Sequence, residues 1–205
     1  MKLLVALCAL WATSALTLQV LRARAGGRRE HSRRAGSPAR GLVYNFTVAM
    51  TPAHKEAVSR HPVKFGLGVL MHAGVGVSLL CVGLLVVWPD GGYRLLALAR
   101  PLAGLALLAG LYLLVQRMLS PTLRAMSAPD DYLAILASCG LLALASLRPI
   151  GPGDETWLLL YATLVLIYLP LGKLRHAVFF FVARADFGRR LGYRGVYPPA
   201  AAGME

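Results

Sequence analysis

Apolar residues in this chain run in long uninterrupted stretches and do not recur at the spacing of an amphipathic helix or a half-buried strand. A hydrocarbon core takes roughly 20 residues of helix to cross, and runs near that length fall at 3–21, 65–88, 95–116, 132–147 and 157–182, the fourth being the shortest. The pattern predicts an all-α integral membrane bundle of five transmembrane helices. Four segments follow from it: an anchor helix at 1–22, a basic cytoplasmic loop with an amphipathic segment at 23–64, a four-helix membrane bundle at 65–182 and a basic cytoplasmic tail at 183–205. The stretch Ala25 to Arg40, with its Gly-Gly, Gly-Ser-Pro and repeated arginines, reads as a flexible loop touching anionic lipid. From Tyr44 to His61, the spacing of Phe46, Val48, Met50, Ala57 and Val58 predicts an amphipathic segment on the inner surface, with Thr51-Pro52 opening a short helix. Leu119 to Asp131 reads as a connector in which Ala128-Pro129-Asp130-Asp131 supplies the N-cap of the fourth span.

Composition agrees with that reading. Of 205 residues, 57% are hydrophobic, and the mean hydropathy is +0.60. The longest polar gap, Arg22 to Lys64, is too short to enclose a core, which excludes a soluble catalytic domain. The net charge of +13 would point to nucleic acid in a soluble chain. Here it is confined to one set of loops. Ten basic residues from Arg22 to Lys64 lie between the first two spans, and Lys173, Arg175, Arg184, Arg189, Arg190 and Arg194 flank the last, whereas Pro89–Arg94 and Arg148–Glu155 are nearly balanced. By the positive-inside rule the N-terminus is outside, the C-terminus is cytoplasmic, and no nucleic-acid partner is implied. Trp88, Tyr93 and Trp157 then fall at the outer interface. The expected location is the inner membrane of a prokaryote, crossed several times. Lys2 and Thr13-Ser14-Ala15 imitate a cleaved leader, but the arginines after Leu21 oppose translocation and predict an uncleaved anchor. Cys8, Cys81 and Cys139 lie in apolar runs without CxxC spacing and read as small buried hydrophobes. The sequon Asn45-Phe46-Thr47 falls on the cytoplasmic side and is discounted.

Ionisable residues inside spans are functional candidates, and two are histidines, His72 on the second span and His176 on the fifth. Counting helical rise, His72 is roughly 10 Å from Phe65 and His176 roughly 9 Å from Val182, at matching depth. Two neutral imidazoles at one depth are what a low-spin haem iron takes as axial ligands, so both are candidate metal ligands. Gly68 and Gly76 stand at i−4 and i+4 from His72, and Gly83 continues the face. Glycines there either leave flat space for a porphyrin or allow close helix packing. Lys173 and Arg175 either pair with haem propionates or snorkel to the interface. His61, before Pro62, is the alternative ligand, while His31 and His54 lie in the polar loop. Arg100 either snorkels outward or approaches an anionic or quinone headgroup.

With these residues placed, the chain resembles the cytochrome b membrane subunits of respiratory nitrate reductase, the gamma-subunit family, and related membrane cytochromes of heterodisulfide-reductase-like and sulfite-reductase-associated complexes. The resemblance spans roughly Tyr44 to Pro198. It rests on five spans with an outer N-terminus, on Phe65-Gly66-Leu67-Gly68-Val69-Leu70-Met71-His72 and on Leu169-Pro170-Leu171-Gly172-Lys173-Leu174-Arg175-His176. It implies electron transfer between membrane quinol or quinone and a cytoplasmic iron–sulfur subunit through haem b. The chain would be an electron-transfer subunit of an oxidoreductase and not a complete enzyme. Two-haem members carry a second histidine pair further out, where this chain has residues such as Val82 and Leu158, so one haem is expected. The competing reading is a haem-free membrane anchor or assembly scaffold of a redox complex. A transporter or channel has less behind it, because no paired intramembrane carboxylates or broken-helix repeat is visible.

Overall fold

The computed structural model describes residues 1–26, 36–54, 58, 60–147 and 151–193, and among them every regular element is helical. The helices are α1 (Lys2–Ala25), α2 (Pro38–Phe46), α3 (Pro62–Val87), α4 (Pro89–Leu119), α5 (Pro121–Ala125), α6 (Pro129–Leu147), α7 (Thr156–Tyr168) and α8 (His176–Tyr193). Four of them, α1, α3, α4 and α6, are long and apolar enough to cross a membrane, and the count is five if α7 and the helix that follows its break, bent by 80°, are taken as one broken span. The protein is an all-α, multi-pass membrane bundle. The chain forms two compact units, Met1–Ala15 with Val63–Arg175, and Leu16–Pro62 with the chain from His176 onward.

In the first unit the helix ends are set by proline. Pro62, Pro89, Pro121 and Pro129 each open a helix, where the missing N–H costs nothing, and each bars helical backbone from the residue before it. Trp88, at φ −147° and ψ 80°, is therefore the sole residue between α3 and α4. Pro89–Arg94, expected as an outer loop, is the first turns of α4. So short a joint brings the helices together at once. A Cβ on Gly92 would stand 2.6 Å from the Leu85 nitrogen and 2.8 Å from its Cα, both backbone atoms that cannot swing aside. Gly92→Ala is accordingly expected to destabilise the bundle by about 2 kcal/mol, read as a lowered unfolding temperature in detergent, while Gly104→Ala, whose nearest neighbour would be 3.9 Å away, leaves it unchanged.

Small residues make the other crossings, as expected where lipid on the outside is as apolar as leucine and packing must drive association. Gly74 of α3 is pressed on Ala106 of α4 and Leu142 of α6, and Gly110 of α4 on Cys139 of α6. Cys81, Leu85, Leu141, Leu142, Leu158 and Ala162 fill the centre, and Val5 brings the start of α1 into the same core. Cys81 and Cys139 are buried among these side chains. The outer surface is apolar too. Leu98 is 79% exposed and Leu108 64%, the arrangement of a bundle solvated by acyl chains. Arg100, the charge expected to snorkel or bind a headgroup, turns its guanidinium to the Ser146 carbonyl, 3.3 Å away, at the C-terminal end of α6. There it complements the helix dipole.

The run at 157–182, expected as one span, is interrupted. The α7 helix stops at Tyr168, Pro170 has no N–H to continue the ladder, and a 3-10 turn at Lys173–Arg175 precedes α8. A Cβ on Gly172 would stand 2.0 Å from the Tyr168 ring, so this ring lies directly on the glycine backbone.

In the second unit, Ser37 caps α2 by accepting from the Arg40 N–H at 3.5 Å, with Pro38 at the first helical position. The described helix of the polar loop, Pro38–Phe46, begins ahead of the Tyr44–His61 segment read as amphipathic from the sequence. Thr51-Pro52 opens a 3-10 turn, Pro52–His54, and residues 55–57 and 59 of that segment lie outside the described residues. Helix α2 packs on α8 so tightly that a Cβ on Gly188 would stand 2.8 Å from the Gly41 carbonyl oxygen. Beside that crossing Asn45 is fully buried. Its amide donates to the Arg184 carbonyl and its Oδ1 accepts from Arg184 Nη1 at 2.7 Å. Phe46 stacks on Phe181 with centroids 6.4 Å apart. Of the expected loop and tail residues, Arg28, Arg29, His31, Arg33, Arg34, Lys55, Ala57 and 194–205 lie outside the described residues.

Candidate functional site

His72 lies on α3 with its side chain on the exposed surface of the first unit. Its Nδ1 is 2.6 Å from the Gly68 carbonyl oxygen, one turn back on the same helix. A carbonyl only accepts, so Nδ1 carries the proton of this hydrogen bond. This is the state that second-shell contacts impose on metal-binding imidazoles.

The glycines of α3 divide into two groups. Gly74 packs against α4 and α6, whereas a Cβ added at Gly66, Gly68, Gly76 or Gly83 would meet nothing within 4 Å. Of the two explanations that the sequence leaves open for Gly68, Gly76 and Gly83, close helix packing within the chain is not what they serve among the described residues. An added side chain at Gly68 or Gly76, one turn to either side of His72, would meet open space among the described residues.

His176 is the first residue of α8, exposed, in the second unit. Arg175 is exposed in the 3-10 turn just before it. Lys173, expected beside a propionate or snorkelling, forms an ion pair with Asp131 of α6. His61 is exposed ahead of Pro62, and His54 shares a 2.9 Å hydrogen bond with Thr51 Oγ1.

Sequence reasoning missed the polar cluster around Asp131. This side chain is 9% exposed and receives three contacts: the Lys173 ammonium, Arg117 Nη1 at 3.6 Å, and the Ala128 N–H at 2.9 Å. The last is the reciprocal half of a capping box, an acid at N3 reaching back to the N-cap amide. Arg117 is held in turn by Ser127 Oγ at 2.7 Å. Adjacent Asp130 accepts from the Tyr168 hydroxyl through its carboxylate and, at 3.3 Å, through its backbone carbonyl. Two acids at the start of α6 thus hold the residues on both sides of the break that follows α7. The clue in the sequence was Pro170 and Gly172 inside an otherwise apolar run, which marks a turn needing polar support.

Among the described residues no three or more His, Cys, Asp or Glu side chains gather as an ion site. A haem needs fewer protein donors, because its four pyrrole nitrogens already surround the iron and only axial positions remain. No protein-family model, characterised protein or solved structure matches the chain.

Proposed function

We propose that this membrane protein is a cytochrome b subunit, holding one haem b through His72 and His176 and exchanging electrons between the quinone pool and a cytoplasmic iron–sulfur partner. The observation that carries the reading is His72 itself. An imidazole within a membrane-crossing helix, its Nδ1 2.6 Å from the Gly68 carbonyl oxygen, stands between the Gly68 and Gly76 positions, where an added Cβ would meet nothing within 4 Å among the described residues. What supports the group is an imidazole anchored through Nδ1 in an apolar helix, with glycines one turn to either side of it. Bound there, a b-type haem supplies one-electron exchange at an iron held in low-dielectric surroundings. The protein's part is to present neutral nitrogen ligands, keep water from them and fix their ring planes. Arg175 is the exposed cation next to His176 and the better propionate partner, since Lys173 is engaged by Asp131.

A reduced-minus-oxidised absorption spectrum of the purified chain tests the proposal. Sharp b-type bands are expected, and their absence after expression with ample haem would overturn it in favour of a haem-free anchor of a redox complex. The proposed orientation has the N-terminus outside and the C-terminus cytoplasmic in a prokaryotic inner membrane, with the basic loop and tail facing lipid and the iron–sulfur subunit. A reporter fused after Glu205 is expected to be active only as a cytoplasmic enzyme. Activity of a periplasmic reporter at the same point would reverse the assignment.

A further inference from the structure

We propose that α2 and α8 form an anchor that lies flat in the headgroup region of an anionic leaflet, with its aromatic side among the upper acyl chains and its arginines on the lipid phosphates. This goes beyond the electron-transfer reading and holds or fails whether or not haem binds. The sequence reads 157–182 as one span, which would put the start of α8 inside the hydrocarbon. The pairing of α8 with α2 points to the boundary instead.

Helix α2 has nine residues, about 14 Å of helix against the roughly 30 Å of a hydrocarbon core. Polar chain flanks it, arginines and Gly-Ser-Pro before it and Thr47, Thr51 and His54 after it, so it has no route through that core. It runs antiparallel along α8: Gly41 meets Gly188, Asn45 pairs with Arg184, and Phe46 stacks on Phe181. What holds for α2 therefore holds for residues 181–188 of α8. Ala39, Val43 and Phe46 recur at helical spacing on α2, as do Phe180, Ala183 and Phe187 on α8, and all six are exposed. The rings are continuous between the helices, with Phe46 on Phe181 at 6.4 Å between centroids and Phe181 edge-on to Phe180 at 5.4 Å. A contiguous apolar patch of this kind marks a binding surface. The charges around it identify the partner. Arg40, Arg189 and Arg190 are exposed on the same two helices, and Asp186 is the only acid among the described residues of the unit. Phenylalanine and arginine together suit the lipid–water boundary, where rings enter the acyl region and each cation near the surface adds attraction to anionic lipid. Arg184, the charge nearest the rings, lies 5.6 Å from the Phe180 centroid and is bonded by Asn45 Oδ1 and the Ala49 carbonyl, so its charge is met inside the pair.

Nitroxide labels on the full-length protein in lipid nanodiscs test the anchor. Val43→Cys, Phe180→Cys and Phe187→Cys carry the label at exposed positions, each in a Cys8→Ala background because Cys81 and Cys139 are buried. In discs of phosphatidylcholine with phosphatidylglycerol, all three labels are expected to collide with oxygen more than with a water-soluble nickel chelate, at one common depth of about 5–10 Å below the phosphates. In phosphatidylcholine alone, and in the combined Arg40→Gln, Arg189→Gln, Arg190→Gln variant, nickel access is expected to rise about threefold or more as the charge attraction is lost. The comparison of lipids needs no change to the arginines, so it decides the matter even if that variant fails to fold. A label at Phe180 lying about 10 Å deeper than one at Phe187, the rise of seven helical residues, would mean that α8 crosses the bilayer and would overturn the proposal. Free nickel access at all three positions in anionic discs would show a face kept for a soluble protein, and would overturn it equally. Readings unchanged between the two lipids would overturn the anionic partner.

Discussion

Replacing His72 with alanine is expected to remove the b-type spectrum from the purified protein, and replacing His176 is expected to do the same or to leave a five-coordinate, high-spin species. Iron in an apolar bundle needs two neutral donors, because an unpaired charged ligand there would be strongly disfavoured. His72 is anchored in the helix by donating from Nδ1 to the Gly68 carbonyl oxygen. Two companion changes separate ligation from general damage. At Gly68 or Gly76 an added Cβ would meet nothing within 4 Å among the described residues, so Gly76→Val is expected to insert and fold normally. Any loss or distortion of haem in that variant would then come from crowding the ring itself. His61→Ala should keep the parent spectrum. An unchanged low-spin spectrum in a folded, inserted His72→Ala protein would defeat the assignment, and His61 would be the next residue to replace.

The second large effect is expected at Gly188. Helices α2 and α8 cross with the Gly188 position 2.8 Å from the Gly41 carbonyl oxygen and 3.0 Å from Leu42 Cα, counted to an added Cβ. Both are backbone atoms of a short helix, so a side chain can fit only if α2 moves as a whole. Moving it would break the Asn45–Arg184 pair, the Arg184 contacts to the Ala49 carbonyl and Met50 Sδ, and the Phe46–Phe181 stack. Gly188→Val is therefore expected to cost about 3 kcal/mol, at the upper end of overpacking changes. Asn45→Ala should cost about 1–3 kcal/mol, because the partly buried guanidinium and carbonyl of Arg184 each lose a partner. Thermal unfolding in detergent, with limited trypsin cleavage at Arg40 as a local readout, measures both. Equal cleavage rates in Gly188→Val and the parent would show that α2 is not held by this crossing.

The Asn45–Arg184 pair also shows why part of the molecule could not be read in advance. Asn45 draws attention in the sequence only as a sequon on the wrong side of the membrane. Its partner is 139 residues away, and no local pattern joins the two. The helix that carries it was misplaced because Ser37-Pro38, a cap and first-turn signal, lies within a run of arginines and glycines that reads as a flexible loop. At the other end of the chain, Pro170 and Gly172 were visible as helix breakers. Their context, a run of more than twenty mostly apolar residues, argued for a continuous span, and the hydrophobic signal was given more weight than the backbone one.

What the sequence by itself determined is the class of the molecule and the approximate place of its spans. Runs of apolar residues longer than any water-soluble helix needs leave no alternative to membrane spans, and proline at a helix start can be recognised locally because its effect is confined to its own φ and the residue before it. His72 could be singled out for the same reason, since an ionisable group in an apolar run is conspicuous without knowledge of its neighbours. Only the tertiary structure decided which glycines pack and which stay open, because Gly74 and Gly76 are alike in sequence and differ only in whether another helix faces them. It also decided the role of Asp131. One carboxylate at a helix start is read as a cap from the sequence, but its ties to Lys173 and Arg117 depend on how α4, α6 and the turn after α7 converge, a relation set by packing between helices and not by any residue's own preference.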